Sequence, residues 1–275
     1  MDLDLTTWAG ADTISLQARQ NASVPPTALE NVGYRTMTPN HLDIRTGVVR
    51  PIICYKSGWA IIKDQYWLIL GVSLVGMLIA SAAPFAILMG PMMCGIYKCL
   101  FAKSRGEKAS FQMLFKGFDH FAQSLIACLV MIVPVLLIAI PLTLLLLVQI
   151  FVLMKEGGPQ SIDPARFLHG FVPFLVLMIG LVMVVSLALG VLFMFAFPLI
   201  VDRGLSGIEA LKTSAMAALG NLGGLVGLVL LNLLLGLVGM MCCYVGAFFI
   251  MPFRFAAILI AYQQVFGPEA PAIRQ

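Results

Sequence analysis

From Trp67 to Phe266 the chain is almost continuously apolar, and its few charges gather in short clusters at 98–120, 155–166 and 202–212. Inside the apolar runs the clear exception is Arg254. Runs near 20 residues match a hydrocarbon core roughly 30 Å thick. A helix satisfies its own backbone hydrogen bonds there, so the pattern predicts an all-α, polytopic transmembrane helical bundle. The first span is expected at 66–83, with Tyr66 and Trp67 as interfacial anchors. Pro84, Gly90 and Pro91 then predict a tight hairpin into a second span at 85–102. The run 121–154 contains Pro134 and Pro141, spaced as in one kinked, tilted helix rather than two spans. The break Gly157-Gly158-Pro159 precedes a fourth run at 167–201. The last run, 221–266, is too long for one span at about 1.5 Å per residue and splits near 242–246, bringing the total to about six spans.

The segments between the runs carry signals of their own. In 103–120, Ser110 reads as an N-cap and Phe111, Leu114, Phe115 and Phe118 form an apolar stripe, so a short helix is expected on the membrane surface. Ser206 and Glu209 match a Ser-x-x-Glu capping box, and a helix over 207–219 should follow. Both are expected as short cytoplasmic interfacial helices. Each follows an Arg-Gly pair (Arg105-Gly106, Arg203-Gly204), an echo read either as an old duplication or as two similarly capped cytoplasmic helices. Residues 1–50 are polar, without a sustained period, and read as a flexible cytoplasmic tail. Residues 52–65 place Ile52, Tyr55, Trp59 and Ile62 at helical spacing, as in an interfacial helix leading into the first span. Residues 51–267 then form the six-span domain, and 268–275 a short tail.

Composition narrows the classes. Of the 275 residues, 60% are hydrophobic and only 11% charged, against about 25% charged in soluble domains. The alternating segments of about 10 residues that mark a transmembrane β-barrel are missing. Net charge is +4, with no basic stripe interleaved with aromatics, which excludes a nucleic-acid partner. Most of the 17 basic residues lie before span one or in the loops after spans two and four. The positive-inside rule then places both termini in the cytoplasm. No signal peptide is expected, since Asp2, Asp4 and Asp12 stand where a basic region would.

Six cysteines form no Cys-x-x-Cys pair and read as small apolar packing residues. His41, His120 and His169 are scattered, so neither a metal nor a cofactor is expected. No nucleophile motif, zinc-protease motif or phosphate loop is present, and no carboxylate pair lies within the spans. A non-enzyme is the expectation.

Arg254 is the candidate ligand-binding residue. It falls about eight residues into the sixth expected span, and an intramembrane arginine is usually paired or snorkels to an interface. Candidate partners are carbonyls freed by Pro252, Pro84 or Pro91, the His169 ring, or the phosphate or carboxylate of a lipid or solute. Gly220, Gly223, Gly224 and Gly227 form overlapping Gly-x-x-x-Gly pairs at the start of the fifth span, as in close helix packing within the bundle or at a homodimer face.

Ser57-Gly-Trp, Gly90-Pro91, Arg105-Gly106-Glu107, Leu114-Phe-Lys-Gly-Phe118 and the Asp202–Ser214 motif together resemble a broad group of uncharacterised bacterial six-helix integral membrane proteins. That group is similar to the membrane domain of some glycerophosphodiester phosphodiesterases. The resemblance covers about 56–267 and implies a bacterial plasma (inner) membrane location. It transfers no catalytic residue, and the phosphodiesterase catalytic domain is absent. The function expected is membrane or envelope organisation or lipid homeostasis, alone or as a partner subunit. The alternative is a transporter or permease-type component for a small or anionic solute.

Overall fold

A computed structural model describes residues 44–82, 87–157, 164–241 and 245–267, with no side-chain detail at 153–154, 156–157 and 164–171. The chain divides into two units, Met1–His41 and Leu42–Gln275. The first lies outside the described residues, as do the expected tails over 1–43 and 268–275. Every element described in the second is helical: α1 (Pro51–Ile62), α2 (Tyr66–Ala82), α3 (Met89–Ser104), α4 (Gln112–Phe115), α5 (Phe121–Gly157), α6 (Pro164–Leu192), α7 (Ala196–Arg203), α8 (Gly207–Gly220), α9 (Leu222–Met241) and α10 (Val245–Phe266). Short 3₁₀ turns, Lys63–Gln65 and Lys116–His120, join α1 to α2 and α4 to α5. Among the described residues, five helical stretches are long and apolar enough to cross a membrane: Pro51–Ala82, Gln112–Val152, Val172–Arg203, Leu222–Met241 and Val245–Phe266. The chain is an all-α, multi-pass membrane protein.

The second expected span takes a different form. α3 has 16 residues, roughly 24 Å at 1.5 Å per residue, which is short of the hydrocarbon thickness. Its side chains lie inside the bundle rather than against lipid. Met92, Cys94, Ile96, Cys99 and Leu100 are fully buried, and Tyr97 and Phe101 nearly so. It packs against α2, α4, α5, α7 and α10. Lys98 reaches out of this core to Asp119 at 2.8 Å and to the carbonyl of Lys116 at 2.7 Å. Lys103 pairs with Asp64 in the turn between α1 and α2. The short helix after α3 also differs from expectation. Ser110 makes no cap, and α4 begins at Gln112 with no side-chain cap bond. Of its apolar stripe, Leu114 is buried while Phe111, Phe115 and Phe118 are exposed.

Proline chemistry sets two boundaries. α5 runs as one helix through Pro134 and Pro141. The fourth run, in contrast, breaks at 193–195 ahead of Pro198. Proline has no N–H, and its ring clashes with the carbonyl four residues back, here Met194. Ser214 repairs the break: its Oγ accepts from the Phe195 N–H at 3.1 Å and donates to the Leu192 carbonyl at 2.8 Å. Gly204 ends α7 in the left-handed region, with φ 62°.

The capping box opens α8 as the sequence implies. The Glu209 N–H donates to Ser206 Oγ, and the Ser206 N–H donates back to the Glu209 carboxylate. Ser206→Ala is expected to lower stability by about 1 kcal/mol, and Ser206→Asp to retain it. Thermal midpoints of detergent-extracted variants test this, and equal losses in both would rule out capping as the cause.

α1 lies antiparallel along α10. Arg50 meets Gln264, Gly58 backs onto Ala256 and Ala257, and Tyr66 reaches Phe249. The face it buries is Cys54, Gly58 and Ile62, whereas Ile52 and Trp59 stay exposed. The expected apolar stripe gives way to the small-residue face because two backbones approach closely only over small side chains. Trp59 instead stacks on Phe253 at 5.0 Å, with Tyr66 5.6 Å from the same ring.

Residues 44–50, read from sequence as the end of the tail, are non-helical, bend at Gly47 (φ 68°) and are bonded to the bundle. The Arg45 N–H donates to the Val265 carbonyl, and the Gly47 N–H to the Gly220 carbonyl. Asn221 accepts from the Val48 N–H and donates to the Arg45 carbonyl. Along this segment Gly220 faces Thr46, Gly224 faces Val49 and Gly227 faces Pro51, while Gly223 meets open space. Three of the four expected packing glycines therefore seat an incoming chain segment.

Candidate functional site

Asn232 interrupts the run Leu-Val-Leu-Leu-Asn-Leu-Leu-Leu in the middle of α9. An amide in such surroundings is costly unless hydrogen-bonded. Its Oδ1 takes two bonds, from the Tyr55 hydroxyl of α1 at 2.6 Å and from Arg254 Nε of α10 at 3.1 Å. Three elements thus meet at one oxygen. Asn232 is buried and Tyr55 half-buried, whereas the Arg254 side chain is exposed. Pro252, just upstream in α10, leaves a carbonyl without its helical donor. The neighbouring Phe249 carbonyl accepts from the Tyr66 hydroxyl at 2.7 Å, and Arg254 Nε donates to Asn232 of α9 rather than to a carbonyl of its own helix.

Because Nε is engaged with Asn232, the side chain is fixed in direction while Nη1 and Nη2 have no acceptor among the described residues. Arg254 lines a cavity of about 270 Å³ between α6, α9 and α10, together with Asn232, Ser186, Gly190, Met194 and Ile258. Next to it lies a groove of about 830 Å³ bordered by α5, α6 and α9, lined by Ala139, Thr143, Met183 and Leu230 among others. The two share Ser186, Leu187, Val229 and Leu233. The groove opens through side chains on the outside of the bundle, with Met183 67% and Leu187 55% exposed.

This arrangement can hold an anion. A guanidinium presents its N–H groups as a planar fork that matches carboxylate or phosphate. The Asn232 amide nitrogen also has no acceptor among the described residues and adds a donor. Among the described residues no carboxylate lines the cavity.

Of the partners considered for Arg254, Pro84 and the His169 ring lie outside the described residues and side chains. Pro91 sits in α3 against Gly117. The residue missed was Asn232. Its signal was a lone amide in a leucine run, the mirror of the lone arginine. Tyr55, read as part of the apolar stripe of an interfacial helix, is the third member.

A second polar cluster joins α7 to α10. Asp202, read from sequence as a loop residue, ends α7 with a side chain wholly buried. It accepts from the Tyr262 hydroxyl and from Arg203 Nε at 2.9 Å. Arg203 Nη2 also donates to the Phe266 carbonyl at 3.3 Å, closing the end of α10. Among the described residues no three His, Cys, Asp or Glu side chains gather into a metal-binding group.

Comparisons with protein-family models, curated proteins and solved structures found no match.

Proposed function

We propose that this protein is a non-enzymatic integral membrane protein that serves membrane organisation or lipid homeostasis by holding an anionic group at Arg254. The observation that carries the reading is the Arg254–Asn232 bond at 3.1 Å. It engages Nε of a cation set in an apolar helix and leaves Nη1 and Nη2 without an acceptor among the described residues, beside a cavity that Arg254 itself lines. A cation kept unpaired within the membrane is costly, and such residues mark ligand or substrate paths. The resemblance to bacterial six-helix membrane proteins supports a bacterial plasma membrane location, and the bonds from Arg45 to Val265 and from Arg50 to Gln264, which hold the start of α1 beside the end of α10, support termini on one side of the membrane, with the basic-residue asymmetry favouring the cytoplasmic side.

The test is the rise in thermal midpoint when amphiphiles with phosphate or carboxylate heads are added to the purified protein. Saturation about 100-fold above Kd stabilises by roughly 2.7 kcal/mol. The rise should vanish in Arg254→Gln and largely vanish in Arg254→Lys, which keeps charge but loses the fork and the Nε bond. An equal rise in Arg254→Gln would overturn the reading.

A transporter or permease-type component for an anionic solute is the second reading, favoured by the cavity at Arg254. Uptake of a labelled anion into proteoliposomes, lost in Arg254→Gln, would select it over the first.

A further inference from the structure

We infer that the Arg254 cavity and the adjoining groove are one site for a lipid with a small anionic head, a phosphate monoester or a carboxylate, and that the tail lies between α5, α6 and α9. This rests on the anion-holding reading above and adds the ligand's class and pose.

The head compartment is built from donors. Arg254 offers Nη1 and Nη2, since Nε is engaged, and Asn232 offers its amide nitrogen. The Asn232 oxygen already takes two hydrogen bonds, from Tyr55 and Arg254. A choline or ammonium head would therefore find neither a carboxylate nor a free amide oxygen. An acceptor-only head finds a complete set, and charge-assisted bonds from a guanidinium are among the strong ones. At about 270 Å³ the compartment suits a small head.

The tail compartment is about three times larger, at about 830 Å³, and its walls are almost wholly apolar. Its one hydroxyl away from the head, on Thr143, is bonded to the Ala139 carbonyl of its own helix at 2.7 Å. Ser186 stands where the compartments meet. Ser186 breaks the apolar run Val-Met-Val-Val-Ser-Leu-Ala-Leu and so sets a hydroxyl-bearing residue between head and tail. Exposed apolar side chains of α6 and α9 form the rim, Leu187 and Leu233 among them. A lipid enters such a groove sideways from the bilayer, while a water-soluble anion would have to cross an apolar rim.

The test uses the full chain in phosphatidylcholine nanodiscs doped with phosphatidic acid or oleate, with retained lipid measured by mass spectrometry. The wild type should retain the anionic lipid at least about tenfold over phosphatidylcholine, a difference of one decade in affinity. Arg254→Gln should abolish the preference. Met183→Trp combined with Leu230→Trp fills the tail groove from lipid-facing positions that the core does not use. This variant should lose the lipid yet keep weak binding of inorganic phosphate, read by isothermal calorimetry. Undiminished lipid retention in the tryptophan variant, with loss in Arg254→Gln, would overturn the tail assignment and leave the anion reading standing. Retention unchanged in Arg254→Gln would overturn both. Equal retention of phosphatidylcholine, or displacement of the lipid by inorganic phosphate at matched concentration, would also overturn the inference.

Discussion

Gly117→Ala removes most of the folded protein. A Cβ on Gly117 would lie 2.0 Å from the Pro91 carbonyl oxygen and 2.5 Å from the Gly95 nitrogen. The facing position is as tight, because a Cβ on Gly95 would lie 2.0 Å from the Leu114 carbonyl oxygen. These neighbours are backbone, so no rotamer change relieves the clash. The 3₁₀ turn Lys116–His120 would have to lift off α3, the element at the centre of the core. Overpacking of this kind costs roughly 3 kcal/mol or more. The thermal midpoint and the monodisperse fraction after detergent extraction measure it. Gly71→Ala is the control, since nothing lies within 4 Å of its added carbon. It should hold or raise the midpoint, because alanine is the better helix former. Equal behaviour of the two variants would show that the α3 contact does not limit stability.

Asp202→Ala is expected to cost roughly 3 kcal/mol, the low end for one charge stranded by loss of its buried partner. The low end applies because Arg203 keeps 16% side-chain exposure. Losing Asp202 strips Arg203 of its counter-charge and the Tyr262 hydroxyl of its acceptor, and so loosens the seam where α7 meets the end of α10. Tyr262→Phe removes a single bond and should cost about 1 kcal/mol. The combined variant Asp202→Leu, Arg203→Met removes both charges and should recover most of the stability lost in Asp202→Ala. If it is no more stable than Asp202→Ala, a stranded charge is not the cause and the loss lies in packing.

The helical class, the proline-bearing α5, the Ser206 cap and the split between α9 and α10 were legible because each is a local matter of period, length or punctuation. The role of α3 was not. Its apolar content resembles that of a lipid-facing helix, and only the packing around Gly95 and Gly117 distinguishes a core helix from a span. The same limit hid the site. Arg254 stood out by its charge, but Asn232 is 22 positions earlier and Tyr55 177 before that. No periodicity links residues brought together by three different helices. The attachment of 44–50 was hidden for a related reason, since its partners, at 220, 221, 264 and 265, lie at the far end of the chain.

The pairing of α1 with α10 also fixes an order of events. Gly58 and its seat at Ala257 are 199 residues apart, or roughly 10–40 s of synthesis at about 5–20 residues per second. For that interval the small-residue face of α1 stays without its final neighbour. Asn232 enters the bilayer before the arginine it will hold. Arg254 therefore inserts where its partner already waits, and the site comes into being only as the final described helix docks.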